Sequence, residues 1–156
     1  MLKRFDHVSV EHVCSGIGIP NIYEYLRDIE HIPEKPEIGE LIASATDRTA
    51  AIANAAFEEH NPSQLCTETV DTFVSILASE AANMALKVMA TGGIYLAGGI
   101  PLHILRAAEE SRFIETFKRK GRFIHFMERI PVHLILNRAA LVGSAAYGLE
   151  SFTEES

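Results

Sequence analysis

The feature that most restricts the fold is a long helical pattern between residues 64 and 90. Apolar residues recur there at steps of three and four, which is the spacing of one helix face. They are Val70, Phe73, Val74, Leu77, Ala81, Met84, Ala85 and Val88. The pattern follows the break Asn61-Pro62-Ser63 and predicts one helix over about 64–90. A helix of this length is better suited to the centre of a core than to its surface.

Shorter helical segments are predicted on either side of this long helix. Ser9 is expected to cap the first, and Gly16 to end it. Pro20 stands near the start of the second, in the first turn that proline tolerates. The predicted segments are 9–16, 20–29, 37–45 and 47–60 (two helices or one kinked helix), 101–105, 111–120, 122–129 and 139–149.

Two apolar runs, 94–97 and 131–136, are too short for helices and predict buried strands. Helices separate them in the sequence, so the strands are expected to be parallel. The fold class is therefore α/β, helix-rich with a small sheet, in a single domain over residues 1–156. Two strands alone make a poor sheet.

Composition restricts the partners. The chain has 156 residues, 47% hydrophobic and 22% charged, with a net charge of −7, which argues against nucleic acid or an anionic membrane. The basic cluster 118–122 is interpreted as a helix end with Gly121 as its cap. No apolar run reaches the roughly 18 residues that span a bilayer. Cys14 and Cys66 match no metal or redox spacing, and these features together predict a cytoplasmic protein.

Glycine pairs bound the first predicted strand, at 92–93 and 98–99. A strand that ends in Gly98-Gly99 and turns into a helix at Pro101 can hold a ligand against bare backbone. The same glycines can equally serve tight packing. There is no G-x-G-x-x-G, and Gly99 stands where a phosphate-binding loop would have its lysine. A dinucleotide fold and a Walker site are therefore not supported.

Four segments together resemble one family. "HVSVEHVCSGIGIPNIYEYL" (7–26), "GGIYLAGGIP" (92–101), "KGRF" (120–123) and "IPVHLILNRAALVGSAAY" (130–147) are similar, in this order, to the bacterial glucokinases. The E-x-x-x-S-G-x-G-[IL]-x-N pattern runs from Glu11 to Asn21, with Ile17 where the family often has proline. The family belongs to the superfamily of sugar kinases, actin and heat-shock ATPases, which implies a ribonuclease H-like, actin-like ATPase fold.

The resemblance implies roles for particular residues. Gly98 and Gly99 match the adenosine motif, whose backbone packs against the nucleotide. Glu11 matches the residue that hydrogen-bonds glucose hydroxyls. The closing helix, with Leu141, Val142, Gly143 and Ser144, looks like one of the hinge helices between lobes. The implied reaction transfers the γ-phosphate of ATP, with Mg²⁺, to the 6-hydroxyl of glucose.

Several parts of such a kinase are missing from this sequence. It has no D-x-G-G-T loop, no second phosphate loop, no N-D pair with the catalytic base and no G-x-G-H sugar motif. No catalytic or metal-binding residue is therefore predicted, and His12 is expected to be a capping or surface residue. The chain resembles the C-terminal part of a glucokinase without the N-terminal lobe, and we expect it to be inactive alone.

Two further interpretations remain open at this stage. The chain could be a nucleotide- or sugar-binding regulatory module without chemistry. It could also be a structural interaction domain, in which Glu11 is a solvated charge and both glycine pairs serve packing. Isolated from its other lobe, the domain would leave apolar strand and helix faces uncovered, so a homo-oligomer or a missing N-terminal lobe is expected.

Overall fold

Eight helices and two strands make up the described part of the chain. The computed structural model describes residues 6–107, 110–137 and 139–154. The helices are α1 (Gly18–Asp28), α2 (Pro36–Ser44), α3 (Arg48–Ala56), α4 (Gln64–Val88), α5 (Gly99–Ala107), α6 (Glu110–Lys118), α7 (Ile124–Met127) and α8 (Ala139–Glu154). The strands are β1 (Ile94–Leu96) and β2 (Val132–Leu134), and 3₁₀ turns lie at Val10–His12 and Gly121–Phe123. The helix-rich architecture with a small sheet is confirmed.

Helix α4 is the centre of the fold, as its length predicts, and α1, α3 and α6 pack against it. The Ser63 side chain caps its start by accepting from the Cys66 amide. The last residue of α4 is Val88, and the capping residue Met89 that follows has a left-handed φ of +50°. None of the described helices is both long and apolar enough to cross a lipid bilayer.

Two residues of the predicted apolar stripe do not belong to the core. Met84 and Val88 are 53% and 65% exposed. In the second half of α4 the buried face is made instead of alanines, namely Ala78, Ala81, Ala82 and Ala85. These short side chains allow neighbouring helices to approach closely, so the packed face is the alanine face, and Met84 and Val88 lie outside it.

Large side chains from several helices fill the core around α4. Tyr23, Ile52, Phe73 and Phe117 are each no more than 1% exposed. The buried Tyr23 ring keeps its polar end satisfied, because its hydroxyl donates to Glu34 Oε1 at 2.6 Å. A buried hydroxyl without a partner would cost free energy, so this bond helps to fix the 29–35 connection against α1.

The strands are parallel, as predicted, but they are not buried strands. Ile94 pairs with Val132, Tyr95 with His133 and Leu96 with Leu134. Tyr95 is 62% exposed, and its ring stacks on His133 at 4.7 Å on the open face. A sheet of two strands has only one face packed against the core in the described part of the chain, so the expectation of two-sided burial was wrong.

Several helix boundaries differ from those predicted: α3 ends at Ala56 rather than at 60, α8 extends to Glu154 rather than to 149, and the others concern the first segment, α5 and 122–129. The first segment is a 3₁₀ turn that ends at His12 rather than at Gly16. Helix α5 begins at Gly99, because Pro101 occupies the first turn, where no amide hydrogen is needed. The 122–129 segment is a 3₁₀ turn followed by the single turn of α7. Gly121 has a φ of +54° just beyond α6, consistent with the predicted helix end.

Candidate functional site

The loop that carries Glu11 is held by the other residues of its motif. The Ser15 hydroxyl donates to the Glu11 carbonyl at 2.7 Å, and Asn21 Nδ2 donates to the His12 carbonyl at 3.0 Å. Ile19 is fully buried and anchors the start of α1. Most of the motif therefore serves to fix one backbone conformation.

Of the two glycines of this motif, Gly18 is required by a close backbone approach, and Gly16 lies near a side chain. A Cβ at Gly18 would lie 2.6 Å from the carbonyl carbon of Val13 and 2.8 Å from its Cα. A Cβ at Gly16 would lie 3.2 Å from the Ile100 Cδ1 methyl at the start of α5. Thr49 of α3 donates its hydroxyl to the Gly16 carbonyl at 2.6 Å. The Glu11 loop is thus fastened to both α3 and α5.

Glu11 itself takes no part in this framework through its carboxylate. Its side chain is exposed, and its backbone carbonyl is the group that accepts from Ser15. His12 has the capping role expected for it, because its Nδ1 accepts from the Ser9 amide at 3.0 Å. The loop therefore presents an exposed carboxylate on a backbone that its neighbours hold in place.

The two glycine pairs have different surroundings. Gly93 has a φ of +114°, and a Cβ there would lie 3.0 Å from the Pro131 carbonyl oxygen, so Gly93 serves packing between the strand ends. Gly98 has a φ of +111°, which turns the chain from β1 into α5. A Cβ at Gly92 would meet no described atom within 4 Å, and neither would one at Gly99. Gly99 differs from Gly92 in that the open space beside it is lined by helices α3 and α5.

That open space belongs to a cleft between α3 and α5, with a volume of about 570 Å³. The size falls in the range of small-molecule sites. Apolar and polar side chains both line it. The apolar wall is made of Ala50, Ala53, Phe57, Ile100 and Ile104, and the polar groups come from Asp47, Thr49, Asn54 and His103, with Gly99 at one edge.

Asp47 and Thr49 are positioned by bonds to the framework. The Asp47 carboxylate caps α3 by accepting from the Ala50 amide at 3.0 Å. Thr49 is held by its bond to Gly16. Thr49 and Ile100 line the cleft, and both also lie beside Gly16 of the Glu11 loop. A ligand in the cleft would therefore lie next to the residues that hold the Glu11 loop.

The cysteines do not behave as reactive groups. Burial raises the pKa of the Cys66 thiol, and burial together with the nearby Glu80 charge raises that of Cys14. Both therefore stay protonated near neutral pH, and both are free thiols. Among the described residues no three His, Cys, Asp or Glu side chains come close enough to hold a metal ion.

Comparison with known proteins agrees with the family that the Glu11–Asn21 motif indicates. A family model described as Glucokinase matches residues 1–151. The chain belongs to the glucokinase family. Relatives in it include the glucokinase of Nostoc punctiforme, 38% identical over 93% of this chain and 46% of its own length. That of Nitrobacter hamburgensis is 39% identical over 94% and 42%.

A solved structure in the same family has a similar fold. The crystal structure of a glucokinase from an Antarctic psychrotroph matches with a TM-score of 0.70 and 31% identity, over 88% of this chain and 39% of that one. The chain thus spans less than half the length of the glucokinases it matches.

The α3 side of the cleft is the part of the site that sequence reasoning missed. Asp47, Asn54 and Phe57 lie more than forty residues before Gly99 in the chain. They belong to an alanine-rich segment that carries no binding motif of its own. The only sequence signal was the spacing of Asn54 and Phe57 on one helical face, which by itself indicates a half-buried helix.

Proposed function

We propose that the chain supplies the adenosine-binding side and one sugar contact of an ATP-dependent glucokinase, built on the actin-like ATPase fold and acting in the cytoplasm. The reaction transfers the γ-phosphate of ATP to the 6-hydroxyl of glucose. The observation that carries the proposal is the position of Gly99 at the edge of the α3–α5 cleft, with open space where a side chain would stand.

The cleft has the chemistry that an adenosine group needs. Its apolar wall, with the Phe57 ring, suits a flat heteroaromatic base, while Asn54 and His103 offer hydrogen-bond donors and acceptors. The Gly98–Gly99 backbone can lie close to the ligand because no Cβ stands between them. ATP, when bound, supplies the phosphoryl group, and this chain's residues hold and orient its adenosine end.

Glu11 is the proposed sugar contact. A carboxylate accepts hydrogen bonds from sugar hydroxyls, and each such charge-assisted bond contributes roughly 1.5–3 kcal/mol. Its backbone is fixed by Ser15 and Gly18, so only the Glu11 side chain has to be ordered when the sugar binds. Its loop contacts Ile100 through Gly16, which connects the sugar side with the nucleotide side.

In this proposal the phosphate loops, the Mg²⁺ ligands and the catalytic base come from outside this chain, because the sequence lacks the motifs that carry them in such kinases. The described side chains of α8 from 141 to 147 are exposed, including Leu141 and Val142 at 64% and 63%. We infer that α8 contacts the rest of the enzyme, as a hinge helix would, or a second copy of the chain.

The test is a pair of glycine variants in a full-length glucokinase that carries this segment. Gly99→Val places a branched side chain in the open space beside the cleft and should raise the ATP KM at least tenfold, with a much smaller effect on the glucose KM. Gly92→Val is the control, because a Cβ at Gly92 also meets no described atom within 4 Å but lies outside the cleft. An unchanged ATP KM in the Gly99→Val enzyme would contradict the proposal.

A further inference from the structure

A polar groove between α4 and α6 has no role in the function proposed above. Polar residues follow one face of α4 at steps of three and four, and another set does so on α6 and just after it. The first set is Glu68, Asp71, Thr72, Ser75 and Ser79, and the second is Arg112, Glu115, Thr116 and Arg119. They line two adjoining cavities, of about 460 and 510 Å³, which share Ser75 and Arg112.

The second cavity is positively charged in a chain whose net charge is −7. Arg112, Lys118 and Arg119 line it together with one carboxylate, Glu115. Arg112 Nη2 lies 3.0 Å from Asp71 Oδ2, which holds its guanidinium at the junction of the two cavities. The Arg112 side chain is 44% exposed and the Asp71 side chain 32%. The N–H groups of Arg112 that do not face Asp71 are therefore open to a ligand.

A further cation lies at the far end of the first cavity. Lys120 Nζ donates to Ser79 Oγ at 3.1 Å and to Asn83 Oδ1 at 2.8 Å. Both partners are neutral, so these bonds fix the ammonium without cancelling its charge. The basic cluster 118–122 is therefore more than a helix end, because three of its residues contribute charge around one groove.

We propose that this groove binds a phosphorylated monosaccharide, with the phosphate at Arg112 and Arg119 and the sugar hydroxyls at Ser75 and Thr116. Guanidinium groups match phosphate oxygens in a two-point geometry. The Ser75 hydroxyl donates to the Asp71 carbonyl at 2.9 Å and can still accept from a sugar hydroxyl, while the Thr116 hydroxyl can donate or accept. Cavities of this size accommodate such a molecule. Glu68, Asp71 and Glu115 bound the positive region, so an extended polyanion would be repelled there.

The binding test needs neither ATP nor turnover, so its failure is distinguishable from failure of the glucokinase proposal. The purified chain is titrated with glucose 6-phosphate, inorganic phosphate, sulfate and glucose, and amide shifts are followed by NMR. Glucose 6-phosphate should shift the amides of Ser75, Thr116 and Arg119 and bind at least tenfold more tightly than inorganic phosphate. Glucose alone should leave these amides unchanged.

Charge variants test whether the groove or the overall charge attracts the ligand. Arg119→Gln should weaken binding of the sugar phosphate about tenfold or more, and Lys118→Gln should weaken it severalfold. Arg129→Gln is the matched control, since it removes one positive charge from an exposed residue that lines neither cavity. It should change the affinity by less than twofold.

Three results would overturn the proposal. Equal weakening by Arg129→Gln would mean that binding is general charge attraction. Equal affinity for sulfate, phosphate and the sugar phosphate would mean an adventitious ion only. Amide shifts confined to the Glu11 loop or to the α3–α5 cleft would place the ligand elsewhere.

Discussion

Gly18→Ala should destabilise the chain, although glycine-to-alanine changes near helix starts commonly stabilise. The added methyl would lie 2.6, 2.8 and 3.0 Å from the C, Cα and O atoms of Val13. These are backbone atoms of the Glu11 loop, which cannot rotate aside as a flexible side chain can. The loop must therefore move, or α1 must shift at its first turn.

The sign follows from comparing two magnitudes. Alanine reduces the entropy of the unfolded chain and so contributes about 0.4–1 kcal/mol. Forcing an extra carbon into a packed site costs about 1–3 kcal/mol, and contact with backbone belongs in the upper part of that range. The expected net loss is about 1–2 kcal/mol, which for a domain of this size lowers Tm by about 2–8 °C.

The assay is urea unfolding of the purified chain, followed by far-UV circular dichroism. Gly92→Ala is the control, because a Cβ there meets no described atom within 4 Å, and its unfolding free energy should stay within about 0.5 kcal/mol of the parent. A Gly18→Ala midpoint equal to or above that of the parent would show that the loop does not pack against α1 as described.

Three other outcomes follow from the same structure. In a full-length enzyme carrying this segment, Glu11→Ala should raise the glucose KM about tenfold or more and the ATP KM little, because only sugar bonds are lost; an unchanged glucose KM would contradict the role of Glu11. The purified chain alone should show no glucose-dependent turnover of Mg-ATP in a coupled assay, and activity that follows its concentration through purification would refute this. The unfolding free energy should fall as pH rises above about 9, because burial raises the pKa of Cys14 and Cys66 above that ordinary value and the unfolded chain loses these protons first. Cys66→Ala should make that decline shallower, and an identical slope in the variant would exclude the buried thiol as a cause.

Local patterns in the sequence predicted a helix or strand best where that element is long. The spacing from Val70 to Ala85 predicted α4, since a helix this long repeats its signal many times. Val88 was misplaced because apolar character alone does not say which of two possible faces the neighbouring helices cover. The burial of β1 was overestimated for a related reason, because a short apolar run does not report how many strands flank it.

The candidate site was predictable only in part. Motif resemblance proposed Glu11 and Gly99 as site residues, but nothing local to Gly93 distinguished its packing position from the open position of Gly99. That difference depends on Pro131, the residue directly before β2. The contact between Gly16 and Ile100 likewise joins segments more than eighty residues apart, which no periodicity reveals.

Titration of the isolated chain with ATP, followed by the amide signals of α3 and α5, tests the central claim most directly. The account predicts shifts at Asn54, Gly99 and His103, which line the cleft, with a dissociation constant of about 1 mM or tighter, equivalent to about −4 kcal/mol. The same titration of the Gly99→Val chain should leave these amides unmoved. No shift at the cleft up to roughly ten times that concentration, or shifts of equal size in the valine variant, would contradict the assignment of the nucleotide site.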